Sequence, residues 1–535
     1  MKKIYRLFFL MMLLVGSGSL YAQIRSVSGV VTSNVDGNPI AEVHVRVKGS
    51  IEAVQTDQQG RFSIGVPETS SKVLTFTHPD FDAEEVVLGG RTQLDLVMTS
   101  SIRFNQYGMQ VNRTALTAEE RNGTLVFESA DQDYKLWFDL RVQADGAMFF
   151  GETYNPIANG VEMRRVRVAF KAELANNFEA EFDMDFADAL ADLKDAFLLY
   201  RATPRLDIRV GNFKERFSME QNTSSRWLTF MERPTALRTI APSRHMGLQL
   251  HYHRPYVIAV GGIHFQDVGD YEVVQNRKDN YAAGNNEGYS LTGKFTFLPF
   301  YHDWNKGLHF GIAGSYRTPK THDVIDAIRF DSRSNVNINR LKYIDTDRIR
   351  NVDNYTLANF ELAGYYNNLK FASEYILAQV NRYEQKIDNE KIGSLPSENF
   401  SGFYFMAGAM LFGGDYIYNT YQGEFTQPKI GRPWGDVELA VRYDFSDFNS
   451  RMDGVMAGQG EGLTVGLNYY APKNVKLMVN YGYLNFDRWA NQRGRIFVGY
   501  DAEGNLTRDP RAVVNPTGEG GENFHWLAVR VQVAF

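Results

Sequence analysis

The chain has 535 residues, 44% of them hydrophobic, with a formal net charge of −6 and a mean hydropathy of −0.35. That balance gives no case for a nucleic-acid partner, and a sequence without cysteine has neither disulfides nor thiolate metal sites to hold it together. Abundant Tyr (29), Phe (37) and Gly (46) point to many β-strands, stabilised by a large core or a closed sheet.

Residues 1–22 read as a signal peptide. Lys2, Lys3 and Arg6 precede the apolar run Leu7 to Val15, and a short, small or polar stretch ends at Tyr21-Ala22-Gln23. The run is too short to remain as a spanning helix, and no later stretch reaches the length that such a helix needs. A place in the membrane is therefore open only to a closed barrel.

Residues 23–98 carry short strand patterns, among them Val27 to Thr32, Glu42 to Lys48 and Val73 to Thr77. Turn signals at Asp36-Gly37-Asn38-Pro39 and Asp57-Gln58-Gln59-Gly60 separate them, which predicts a small β-sandwich. Ser28-Gly29-Val30-Val31, Pro39-Ile40-Ala41-Glu42-Val43, Val47-Lys48-Gly49 and Thr56 to Phe62 resemble the carboxypeptidase-regulatory-like domain of the Bacteroidota type, which often precedes outer-membrane proteins. The resemblance implies a periplasmic spacer or a site for a periplasmic partner. Residues 99–133 read as a linker, and Thr117 to Arg121 fits a short helix.

From Tyr134 the pattern changes. Tyr134, Leu136, Phe138, Leu140, Val142 and Ala144 alternate with Lys135, Trp137, Asp139, Arg141, Gln143 and Asp145. Successive strand side chains point to opposite faces, so one face is apolar and the other mostly polar over a bilayer thickness. Val166 to Leu174, Phe178 to Phe186, Leu206 to Val210, Val437 to Phe445 and Val475 to Tyr483 repeat it. A soluble sandwich also alternates. The length of these strands, aromatics near their ends and a last strand with Leu527, Val529, Val531, Val533 and Phe535 on one face favour a transmembrane antiparallel β-barrel. A terminal aromatic such as Phe535 is what the barrel-insertion machinery reads. Residues 134–535, at roughly 25 residues per strand with its connection, give about 16 strands, with 14 or 18 also within the count. A barrel of that width leaves an aqueous channel.

The barrel segment also resembles a family. Glu162-Met163-Arg164-Arg165-Val166-Arg167-Val168, Leu193 to Tyr200, Arg209-Val210-Gly211-Asn212-Phe213-Lys214-Glu215-Arg216-Phe217-Ser218 and Thr223 to Pro234 are similar to motifs of the phosphate-selective porin O/P family, as are Trp434 to Tyr443 and Leu467 to Tyr470. The weakly matching middle, about 270 to 430, reads as long extracellular loops. The resemblance implies a homotrimeric porin among outer-membrane lipid and lipopolysaccharide, passing small hydrophilic solutes by passive diffusion with a preference for anions such as phosphate. It implies a third extracellular loop folded into the channel, where Ser218 to Ser243 lies, with Arg226, Arg233, Arg238 and Arg244 in or beside it. Alternation aims Arg165, Arg167 and Arg209 at the lumen, with Arg164 brought in by a bulge; Lys214 and Arg216 continue the motif. The bland reading of these cations is pairing with Glu179, Glu181, Asp183 and Asp185 on the next strand.

His251-Tyr252-His253 sets two imidazoles on one strand face, but no third ligand lies nearby in sequence, and a wall role is preferred to metal. No nucleophile motif, phosphate loop or cofactor signature is present, so no enzyme activity and no cofactor are expected. Beside the porin stands one alternative, a structural or partner-docking barrel within an envelope complex.

Overall fold

The computed structural model describes residues 24–535 except 51–52, 68–71, 113–115, 122, 188–190, 266–277, 280, 283, 285–286, 320–325, 388–389, 451–453 and 515–519. The signal-peptide reading lies outside the described residues. The chain divides into two compact units, with the boundary before Leu116.

The first unit holds two small sheets around one core. Ile24–Ser33 pairs antiparallel with Arg61–Pro67 and parallel with Leu96–Met98, while His44–Val47, Ala53–Gln55, Val73–His78 and Phe81–Val87 form the second sheet. Val27, Val31, Val45, Phe62, Ile64, Leu74 and Phe76 fill the space between them, with Phe62 and Phe76 edge to face at 5.4 Å. The motif at 56–62 has a physical reason. Asp57 Oδ1 accepts from the amides of Gln59 and Arg61, at 2.9 and 2.8 Å, and closes the turn. Gly60 completes that turn at φ +68°, where an added Cβ would stand 2.4 Å from the Val31 carbonyl oxygen.

The second unit is a closed antiparallel barrel of sixteen strands. In chain order they are β1 (Tyr134–Phe150), β2 (Gly160–Leu174), β3 (Phe178–Asp185), β4 (Asp192–Thr203), β5 (Leu206–Lys214), β6 (Arg244–Arg254), β7 (Val257–His264) and β8 (Ser290–Phe297). They continue with β9 (Lys306–Arg317), β10 (Val352–Tyr366), β11 (Leu369–Arg382), β12 (Leu395–Met410), β13 (Asp436–Ser450), β14 (Val455–Tyr470), β15 (Val475–Asp487) and β16 (Gly521–Ala534). Each pairs with its neighbour in sequence, and β1 pairs with β16 from Arg141↔Ala534 to Phe150↔His525. An even strand count puts both chain ends at one end of the barrel, the terminal end, and the connections alternate between that end and the far end.

Burial is inverted relative to a soluble protein. Phe138, Phe182, Val210, Leu248 and Val529 lie open on the outer surface, while Asp139, Arg141, Gln143, Arg442 and Arg530 are buried inside. No described helix is long and apolar enough to cross a membrane, and the barrel strands carry a band of outward apolar side chains. The outward band supplies their apolar contact with lipid.

Two expectations are corrected. Thr117 to Arg121 is strand, not helix: Leu116–Arg121 forms a hairpin with Thr124–Ser129, whose Val126 to Glu128 pair with Lys135 to Trp137 of β1. A free sheet edge with unmet hydrogen-bonding groups overrides a weak helical preference here. The hairpin's turn residue Gly123 lies against the Phe535 ring, an added Cβ falling 2.7 Å from Cδ1, and the Phe535 amide donates to the Leu140 carbonyl at 2.9 Å. The second correction concerns the middle of the chain. Much of 270–430 is wall, namely β8 to β12, and the connection 411–435 leaves from the terminal end rather than from the far end.

Close inner packing gives a test. Gly482 of β15 lies beneath the buried Trp526 ring, where a Cβ would come within 2.4 Å of Cε2. Gly482→Val should destabilise the barrel by about 1–3 kcal/mol and lower the temperature at which its folded band disappears in semi-native electrophoresis.

Candidate functional site

The connection between β5 and β6, residues 215–243, folds into the lumen. It carries two short helices, α1 (Met219–Asn222) and α2 (Thr235–Ile240). Ser218 caps α1 by accepting from the Gln221 amide at 3.1 Å. The first two amides of α1 donate to wall carboxylates: Met219 to Glu361 of β10 and Glu220 to Glu374 of β11, both at 2.8 Å. Ala236, Leu237 and Ile240 of α2 join a buried cluster with Phe400, Phe448 and Ile344.

Between the helices the loop runs extended and is fastened by wall side chains to its backbone. Lys476 donates to the Leu228 carbonyl, Asn468 to that of Thr229 and Arg442 to that of Glu232, each at 2.7 Å. Arg530 donates to the Met231 carbonyl at 2.6 Å, and the Met231 amide donates to Asn480 Oδ1 at 3.0 Å. The carboxylate of Glu232 gathers Arg164 at 2.6 Å, Arg530 at 3.3 Å, Arg165 at 3.9 Å and Arg238 at 4.0 Å. Two other connections also turn inward. From the far end, Asn335 receives Thr235 Oγ1 at 3.0 Å, and the Ser334 carbonyl accepts from Arg238 at 2.9 Å. From the terminal end, Tyr416 donates to Glu438 at 2.8 Å, Tyr421 donates to Asp207 at 2.6 Å, and the Gln422 carbonyl accepts from Arg216 at 2.7 Å.

Between these inserts and the wall of β1 to β6 lies a cavity of about 360 Å³. Six of the ten expected cations line it: Arg167, Arg209, Lys214, Arg216, Arg226 and Arg244. The other four serve as braces outside it. Arg164 is the extra residue of a bulge, because Gln143 pairs with Arg165 while Ala144 pairs with Met163. Its neighbour Arg165 donates to Gln143 at 2.7 Å and Arg233 to the Glu220 carbonyl at 2.8 Å; Arg238 holds Ser334. Arg244 is the first residue of β6 rather than part of the loop.

The lining carries eight basic and six acidic side chains, so its charge excess is positive. Four of the bases are paired: Arg167 with Asp185 at 2.8 Å, Lys171 with Glu181 at 3.3 Å, Arg244 with Asp195 at 2.6 Å, and Arg226 with Asp139. Among the described residues, Arg141, Arg209, Lys214 and Arg216 have no carboxylate within ion-pair distance. Arg141 donates to Ser225 Oγ at 2.8 Å, Arg209 stacks over Phe197 at 4.4 Å, and Lys214 points at the carbonyls of Gln221, Asn222 and Thr223 at 3.0 to 3.3 Å. The Nε–H groups of Arg141, Arg209 and Arg216 meet no acceptor among the described residues. Arg141 and Lys171 escaped the sequence reading of the site, although alternation already placed both on the polar face.

Two acid-rich spots read as charge pairing rather than metal sites. The carboxylate oxygens of Glu181, Asp183 and Asp195 lie within 4.8 Å of one another, but Lys171, Arg167 and Arg244 interleave them. His251 and His253 approach Asp207 at 3.5 and 3.9 Å and pack against the Tyr421 ring.

A closed barrel with an apolar outer band, a polar lumen and an inward constricting loop defines an outer-membrane channel of the porin class. Comparison gives the family: residues 138–496 match the model for phosphate-selective porin O and P, and the chain belongs to that family. Residues 26–99 match the carboxypeptidase regulatory-like domain. An uncharacterized protein of Caulobacter vibrioides is 26% identical over 374 residues, covering 68% of this chain and 71% of that one. The TonB-dependent receptor P3 of Formosa agariphila is 33% identical over 97 residues, 18% of this chain and 10% of the receptor. Among solved structures, the anion-selective porin from Comamonas acidovorans aligns at 12% identity and a TM-score of 0.43, over 75% of this chain and all (100%) of that one.

The wall-to-loop hydrogen bonds set the bore. Replacing Asn468 with Ala and Lys476 with Met removes two of them, and the loop should loosen. Single-channel conductance in planar bilayers should rise and become noisier, with the folded barrel retained.

Proposed function

We propose that the channel passes small hydrophilic solutes passively and prefers anions, phosphate among them. The observation that carries this reading is the set of four cavity cations, Arg141, Arg209, Lys214 and Arg216, without carboxylate partners. Guanidinium keeps its charge at any physiological pH and presents forked donors matched to oxyanions. Several such donors along one passage can replace part of an anion's hydration, each weakly enough to release it. The paired cations beside them supply a lattice that fixes the geometry without adding net charge.

In this reading the terminal end faces the periplasm, which places the first unit there as a spacer or a dock for a periplasmic partner. The far end faces outward among lipid and lipopolysaccharide. The aromatic Phe535 serves recognition by the insertion machinery, residues 1–22 direct export, and three copies assemble as a homotrimer. The second reading, a partner-docking barrel, draws on the three segments that crowd the lumen. A bilayer recording separates the two, because a docking barrel carries no current.

Under a salt gradient the wild-type reversal potential should show anion preference. Arg209→Glu, with or without Arg141→Glu, should shift it toward cations, and the shift should shrink as salt rises and screens the lumen. An ion preference unmoved by both changes would take these arginines out of the selectivity path.

A further inference from the structure

The inward connection 411–435 divides the terminal half of the lumen into two chemically different spaces. Asn419, Gln422 and Glu424 border the cationic cavity. Tyr418 and Thr420 instead border a second, smaller cavity of about 80 Å³, flanked on its other sides by the turn 298–305 and the ends of β9 and β10. Phe300, Trp304 and Tyr365 give it ring faces, and Leu298 and Leu308 complete an apolar wall.

Tyr365 is not placed as an interfacial belt residue would be. Tyr365 lies on the same strand face as Glu361 and Ala363, both buried inside. Gly307 makes room for it, since a Cβ there would fall 2.2 Å from the Tyr365 ring. Tyr365 and Tyr418 stack at 6.2 Å and 17°, and Tyr418 also pairs with His309, which in turn contacts Glu361 at 2.8 Å. That network fixes one side of the cavity. The opposite lip is exposed, with Trp304 at 89%. The charged lip residue Asp303 is met by Lys306 at 3.4 Å, so this space lacks the unpaired cations of its neighbour.

We propose that this cavity binds a neutral, ring-bearing solute with hydroxyls at its edge, a pyranose sugar being the class it fits. A pyranose offers an apolar C–H face to the rings of Trp304, Phe300 and Tyr365. Its edge hydroxyls meet the Asp303 carboxylate and the Thr420 hydroxyl. An apolar, aromatic lining with a few convergent polar groups is the usual composition of a small-molecule site. An anion gains nothing here that the cationic cavity does not supply better. The barrel would then hold two solute classes on two sides of one partition.

The test uses the full-length protein labelled with 5-fluorotryptophan in an amine-oxide detergent, which avoids glycoside headgroups. The Trp304 resonance is assigned with Trp304→Phe, and methyl glucoside is the probe. A saturable shift confined to Trp304 at millimolar probe is expected, weakened roughly tenfold in Phe300→Ala, whose side chain is half exposed and spares the fold. Inorganic phosphate should leave the Trp304 resonance in place. A resonance unmoved by the sugar, equal shifts at all tryptophans, or an equal response to phosphate would overturn the proposal. These outcomes are independent of ion preference, so anion selectivity can fail while the sugar site stands, and the reverse.

Discussion

Everything in the second unit depends on one pairing, that of β1 with β16. Lipid offers no hydrogen-bond partner to a backbone amide or carbonyl, so a sheet within it must have no open edge. Ten register pairs from Arg141↔Ala534 to Phe150↔His525 close that edge. Below them the hairpin 116–129 takes over the same edge of β1, so the seam is completed by two separate parts of the chain. Once the sheet is closed, period-two alternation gives it a greasy outside and a polar inside.

The polar inside does more than admit water. An extended loop inside a barrel would leave its own carbonyls and amides unmet, and the wall supplies the partners through Lys476, Asn468, Asn480, Arg442 and Arg530. Other buried charges on the inner wall and the loop are met by ion pairs. Lys370 stands 2.9 Å from Glu438, Arg530 binds Asp145 at 2.7 Å, and Glu232 collects four guanidiniums. Ion pairs of this kind offset the cost of burying the charge. Division of labour follows: β10 to β16 supply these backbone fastenings, while β1 to β6 line the cationic cavity and meet the inserts at Ser225, Glu232 and Tyr421.

Much of this was legible in the sequence. Alternation from Tyr134 gave the wall and its inward arginines, and residue count gave the strand number. The unpaired position of Arg164 was visible as a break in the alternation, and the bulge supplies its cause. Alternation tells which face a side chain takes, however, and not what meets it there. That is why Arg165 and Arg238 could be placed inside but not recognised as braces, and why Arg141 was passed over. The inward path of 411–435 left no periodic mark, because its Tyr416, Tyr418, Tyr421 and Phe425 are fixed by partners on distant strands. For the same reason Thr117 to Arg121, read alone, looks helical; its strand state comes from an edge of β1 that local propensity does not encode.

The contact between Gly123 and the last residue has a consequence for folding. In an unfolded chain the Phe535 ring and amide have no fixed partner. In the finished barrel the hairpin turn rests on that ring and the Leu140 carbonyl holds its amide. Folding thus draws the Phe535 ring and amide into contacts that an unfolded chain leaves open.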